Sequence, residues 1–91
     1  METTMTMQPE AVPVIKSCLD MKRKALEHNL RRYKDRLAAF EEQFHMTSEQ
    51  FGARFNSGEL GDAADWFEWD FVLGAYRETA QQLDVLASVR L

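Results

Sequence analysis

Apolar residues recur at helical spacing through the first half of the chain. Wound at about 100° per residue, Val12, Ile15, Leu19, Leu26, Leu30, Tyr33, Leu37, Phe40 and Phe44 fall inside one strip roughly 80° wide. From Leu26 to Phe44 the steps are 4, 3, 4, 3 and 4, the narrow seam of a helix packing lengthwise on another helix. The spacing predicts a long helix over about residues 13–45. Pro13 suits the first helical position and pushes Val12 away from helical geometry. Residues 1–12, with their Thr/Met-rich start, are therefore expected to form a disordered tail.

The stretch "HMTSEQF" breaks the seam with a helix-start signal. Thr47 and Gln50 have the spacing of a capping box, and Met46 and Phe51 occupy the two positions of a hydrophobic staple. A short helix over about 48–56 follows, ended by "NSGELGD", in which Gly58 suits a left-handed cap and Gly61 a second break. Asp62 then reads as the N-cap of a third helix over about 63–90, with Asp65 in an acidic variant of the capping box. The main seam of this helix is Trp66, Trp69, Leu73, Tyr76, Ala80, Leu83 and Ala87. A second apolar patch lies roughly 120–200° away from it: Phe67 and Phe71 early, Val85 and Val89 late. Phe51 and Phe55 of the short helix are expected to cover Phe67 and Phe71.

These elements make a single all-α domain, a hairpin of two long antiparallel helices joined by a short one. Two helices do not enclose a core between them, since each leaves part of its seam open. The expected remedy is a homodimer in which two hairpins form a four-helix bundle. Its interface is expected at Leu26, Leu30, Tyr33, Leu37, Leu83, Val85, Leu86 and Val89.

Composition narrows the class. With 91 residues, 45% hydrophobic and 29% charged, the chain suits one small folded domain. Cys18 is alone, which suits a reducing compartment. The first dozen residues lack a secretory signal, no run approaches the roughly 18 apolar residues of a membrane span, and "SVRL" carries no lipidation cysteine. A cytoplasmic location is the expectation. Charge is unevenly divided: residues 1–40 hold eight Lys/Arg against five Asp/Glu, a net +3, while residues 41–91 hold three against ten, a net −7.

Candidate chemistry is sparse. "GELGDAADWFEWDF" gathers Glu59, Asp62, Asp65, Glu68 and Asp70, yet the di-iron spacing Glu-x-x-His is missing, since His28 falls on a polar face and His45 at a turn. No metal or cofactor is expected. The run "KRKALEHNLRRYKDR" invites nucleic acid, but Lys24, Arg31, Arg32, Lys34 and Arg36 spread over about 200° of the helix instead of forming a stripe. Lys22 or Arg23 falls where the seam needs a residue, as at a register-fixing position. No nucleophile motif, placed Cys-His pair or Gly-rich phosphate loop occurs, so neither an enzyme nor a small-molecule substrate is expected.

The stretch "MTSEQFGARFNSGELGDAADWFEWDFVLGAY", Met46 to Tyr76, resembles a family of small helical prokaryotic proteins often encoded beside a toxin and regarded as antitoxins. The likeness centres on Phe51, Gly58, Leu60, Gly61, Asp62, Asp65, Glu68 and Trp69 and covers about a third of the chain. Ala63 and Ala64 stand where the family often has another acid, and the N-terminal tail is longer than in the family pattern. The resemblance implies a protein that binds and neutralises a basic, RNase-like toxin. The partner-binding residues are then expected among Glu59, Asp62, Asp65, Glu68, Asp70, Trp66 and Trp69, with Glu59, Glu68 and Asp70 free of structural duties. The alternatives are a nucleic-acid-associated helical dimer using the basic face of the first helix, in regulation, or a small structural helical-bundle protein.

Overall fold

The computed structural model describes residues 3–91, so the expectation of disorder at residues 1 and 2 lies outside the described residues. Three helices follow in order: α1 Ala11–Phe44, α2 Ser48–Asn56 and α3 Ala64–Ala87, with no strand among the described residues. α1 has 34 residues, about 51 Å at the helical rise, and it sets the long dimension of a body measuring 55 × 27 × 17 Å. The radius of gyration is 18.0 Å, against about 12 Å for a compact chain of this length. The exposed surface is 7099 Å², against about 5,500 Å² for a folded monomer of this mass. The exposed tail residues Thr3–Thr6 supply part of the excess, and the open faces of a single layer of helices supply the rest.

α1 and α3 run antiparallel. Phe40 stacks on Trp69 and Arg36 pairs with Glu68 at one end, while Leu19 and Leu26 line grooves with Leu86 and Val89 at the other. α1 begins two residues before the expected Pro13. The amides of Ala11 and Val12 donate to the carbonyls of Gln8 and Pro9 at 2.9 and 3.2 Å, so an earlier turn nucleates the helix and Val12 lies within it. Pro13 then sits in the first turn, where its missing N–H would have had no helical partner.

α1 ends at His45, a left-handed residue with φ 54°, which turns the chain into the next start. The capping box forms as the spacing predicts: the Gln50 amide donates to Thr47 Oγ1 at 3.1 Å and the Thr47 amide to Gln50 Oε1 at 2.9 Å. α2 closes on a Schellman turn. The amide of Glu59 reaches back to the Arg54 carbonyl and that of Gly58 to the Phe55 carbonyl, both at 3.1 Å, with Gly58 at φ 80°.

α3 departs from expectation at both ends. Its N-cap is Ala63, not Asp62, and no side chain caps it; Gly61 at φ 79° delays the start by a residue, leaving Asp62 before the cap and Asp65 in the first turn. The helix stops at Ala87, where the Ser88 hydroxyl donates to the Val85 carbonyl and competes with continued helical bonding.

The core sits at the end of the hairpin where α2 packs. Phe51, Trp69 and Val72 are fully buried, Leu37 and Leu73 nearly so, and Tyr33, Phe40, Phe44, Met46, Phe55, Leu60, Trp66 and Tyr76 pack around them. Gly52 of α2 is buried facing Leu73, where a Cβ would lie in ordinary contact, 3.6 Å from Leu73 Cδ2. Towards the open end Leu26 is buried, whereas Ile15, Leu19, Leu30, Leu83 and Leu86 are half-buried. The buried stripe of α3 is also rotated from the expected seam, with Val72 and Thr79 inside and Ala87 exposed.

One polar chain ties the three helices together. The Trp69 indole N–H donates to Ser48 Oγ at 3.0 Å in the core, and the Ser48 amide donates to Glu41 Oε2 at 2.7 Å. Glu41 of α1 thus satisfies an orphan amide at the start of α2, whose first residue in turn satisfies the buried indole of α3.

Two outcomes follow from these contacts. Ser48→Ala strands the Trp69 donor and is expected to lower unfolding free energy by about 1–3 kcal/mol in urea titration; a loss under about 0.5 kcal/mol would refute the role of this bond. Gly58→Val is expected to cost about 1–2 kcal/mol and Gly58→Asn less, because open space surrounds the position and only the left-handed backbone resists a side chain.

Candidate interaction surfaces

The stretch Gly58–Phe71 separates into buried and exposed layers. Trp69, expected to contact a partner, has no exposed surface. Its ring lies parallel to Phe51 at 4.1 Å and to Phe40 at 5.4 Å between centroids, which assigns it to the core. Trp66 is half-buried against Phe44 at 4.7 Å and keeps an accessible side. Phe67 meets Phe55 edge-on at 5.4 Å yet remains 54% exposed, and Phe71 is 69% exposed. The expected cover for both is therefore only partial at Phe67 and missing at Phe71. The cause is direction: α2 lies along α3 beside Trp69 and Leu73, whereas Phe71 points about 160° around the helix from both, away from α2.

The five carboxylates do not form one patch. Glu68, expected to be free, pairs with Arg36 of α1, and Glu59 lies 4.0 Å from the Arg54 guanidinium. Asp62, Asp65 and Asp70 are exposed and make no salt bridge among the described residues. Asp70 projects about 140° around α3 from Asp65 and about 160° from Glu68, so it stands on a different side of the helix. Of these five, the acids without a salt bridge are thus Asp62 and Asp65 beside the start of α3, and Asp70 flanking Phe67 and Phe71.

The residues expected at a dimer interface divide in the same way. Leu26 and Leu37 are buried within one chain. Leu30, Tyr33, Leu83 and Leu86 are half-buried along the line where α1 meets α3. Val85 and Val89 are 62% and 40% exposed. Val89, just past the helix, is held in line by the hydrogen bond its N–H donates to the Leu86 carbonyl at 3.2 Å. Lys22, Leu26, Glu78, Gln82, Val85 and Val89 border one shallow groove on this side of the open end. Met21 and Val14 of α1 are also exposed, at 69% and 61%.

The basic run of α1 is partly neutralised. Arg23 and Lys24 both reach Asp20 at 3.1 Å, and Arg36 is held by Glu68. Lys22, Arg31, Arg32 and Lys34 remain; Arg31 and Lys34 are neighbours three residues apart, but Lys22 and Arg32 lie elsewhere around the helix, and no continuous basic track results. Among the described residues no group of three or more His, Cys, Asp or Glu is placed to hold a metal ion, and no helix is long and apolar enough to cross a membrane.

Three features escaped the sequence reading. The Glu41–Ser48–Trp69 chain joins residues 21 and 7 apart in sequence, beyond any local spacing rule. The Arg36–Glu68 pair depends on the register of α1 against α3. Thr79, which is not part of the expected seam, is buried at 8% exposure, and the apolar Val72 on the same flank was the available hint.

No protein-family model matches this chain, and neither a curated protein nor a solved structure does so.

Proposed function

We propose that this chain is a non-enzymatic interaction protein that acts as a homodimer and restrains a basic partner protein, in the manner of an antitoxin that neutralises an RNase-like toxin. The observation that carries the reading is the state of the acids at the α2–α3 end: Asp62 and Asp65 beside the start of α3, and Asp70 on another side of that helix, stand exposed without cationic partners among the described residues. Carboxylates left unpaired in the free protein keep their full charge for a partner. Set against the basic groove of a nuclease, they occupy places where phosphates would lie, steer the encounter and occlude the site. The accessible side of Trp66 adds an aromatic anchor of the kind enriched where binding energy concentrates.

Charge distribution supports this direction of binding. Residues 41–91 hold three Lys/Arg against ten Asp/Glu, a net −7, and three of those acids are spent internally: Glu41 on the Ser48 amide, Glu59 near Arg54 and Glu68 on Arg36. The excess over the internal pairs is what a basic partner meets. The nucleic-acid alternative lacks an equivalent surface, because the cations of α1 are paired or dispersed.

The test is binding of the purified protein to the product of the adjacent gene, at two salt concentrations. Replacing Asp62, Asp65 and Asp70 together by Asn is expected to weaken association at least tenfold at low salt and to flatten its salt dependence, while thermal stability stays nearly unchanged. An unaltered affinity and salt slope would sink the electrostatic reading.

A further inference from the structure

The exposed face of α3 reads the same from either end. Phe67 and Phe71 lie near its start, Val85 near its finish with Val89 two residues past it, and Gly74, Glu78 and Gln82 between them, all exposed and, with the helix continued to Val89, within about 80° of helix surface. The steps along this line are 4, 3, 4, 4, 3 and 4, with Glu78 at the centre. We infer that this face is the homodimer interface, and that two copies pack α3 on α3 antiparallel about a two-fold axis at Glu78. The inference rests on the dimeric part of the function proposed above and adds its surface and register.

An antiparallel pair centred at Glu78 sets Phe67 against the second copy's Val89, Phe71 against its Val85, and Gly74 against its Gln82. Each large aromatic then meets a smaller branched residue, which is how facing positions interdigitate without voids. An isologous contact demands a patch complementary to itself under rotation, and this line of residues meets that demand. A foreign partner imposes no such symmetry on it.

Gly74 adds a second, independent reason. Glycine inside a helix costs about 0.5–1 kcal/mol relative to alanine, and here, apart from its neighbours in sequence and the helix's own backbone, nothing lies within 4 Å of where its Cβ would stand. Nothing within one chain therefore requires a glycine at this position. A facing helix in close approach does require it, and the long Gln82 side chain of the second copy is the group that would use the space.

Charge and area agree with the same arrangement. The two Glu78 carboxylates approach each other at the axis, and Lys22, on the rim of the same groove in each chain, offsets their repulsion. A standard-size interface takes about 800 Å² from each partner. The chain exposes about 1,600 Å² more than the monomer norm, so even after the tail's share enough surface remains.

Cross-linking tests the register. In a Cys18→Ser background, Glu78→Cys is expected to form a covalent dimer nearly quantitatively under mild oxidation at low micromolar concentration. Asp84→Cys, exposed about 100° away from Val85, is expected to stay monomeric on the same gel. Phe71→Asp and Val85→Lys are each expected to shift light scattering towards monomer, and the double variant to recover the dimer, because the new charges face each other across the axis. A wild-type dimer in which Glu78→Cys fails to link and the double variant fails to recover would overturn this interface and leave dimerisation standing. A wild-type monomer that still binds the adjacent gene's product would overturn the dimer as well and leave the partner reading intact. A one-to-one complex with that product that shields Phe71 and Val85 would assign the face to the partner and overturn the inference.

Discussion

Trp69 is the point at which three helices become one structure. Its ring lies flat against Phe51 of α2 and Phe40 of α1, and its N–H is held by the first residue of α2. A fully buried indole contributes a large apolar surface, but only if its one polar atom finds a partner. Ser48 is that partner, and Ser48 is in place because Thr47 caps α2 and Glu41 holds the following amide. Local capping chemistry and long-range packing thus converge on one residue. The short helix, too brief to be stable alone, exists because it completes this site.

The same arrangement determines which residues face outward. Trp69 fixes the rotation of α3, and the rotation places Phe67, Phe71, Val85 and Val89 on the far side of the helix from the seam. α2 lies on the seam side of α3 and reaches this far side only where Phe55 meets Phe67 edge-on. The exposed aromatic surface is therefore a geometric consequence of how the core is closed, and Asp70 beside it is an acid the fold has not paired. On this view the interaction surfaces proposed here are what the hairpin leaves over after it has satisfied itself.

Much of the fold was legible along the chain, for reasons specific to each element. The 4, 3, 4 spacing from Leu26 to Phe44 is a direct image of a helix seam, and the Thr47–Gln50 pair names a helix start by its hydrogen bonds. Gly58 was readable because few residues other than glycine accept its left-handed φ. The misreadings were all matters of competition. Asp62 was a chemically better cap than Ala63, but Gly61 set the chain direction first. Pro13 looked like a helix start, but a turn beginning at Pro9 nucleated earlier. The candidate surface was harder to foresee, because whether Glu68 is free or paired, and whether Phe71 is covered or bare, depends on distances between helices that no spacing within one helix encodes.

The core is concentrated at one end of a body 55 Å long. Its far end is held by Leu26 and a few half-buried side chains. Cooperativity is therefore graded along the hairpin. The α2 end behaves as one unfolding unit, while the free ends of α1 and α3 can separate in a smaller, cheaper opening that leaves the aromatic cluster intact. Backbone amides near Leu19 and Leu86 would exchange with solvent through that local opening, and those near Trp69 only through global unfolding. A second chain clasped along α3 would abolish this difference and make the whole length a single cooperative unit.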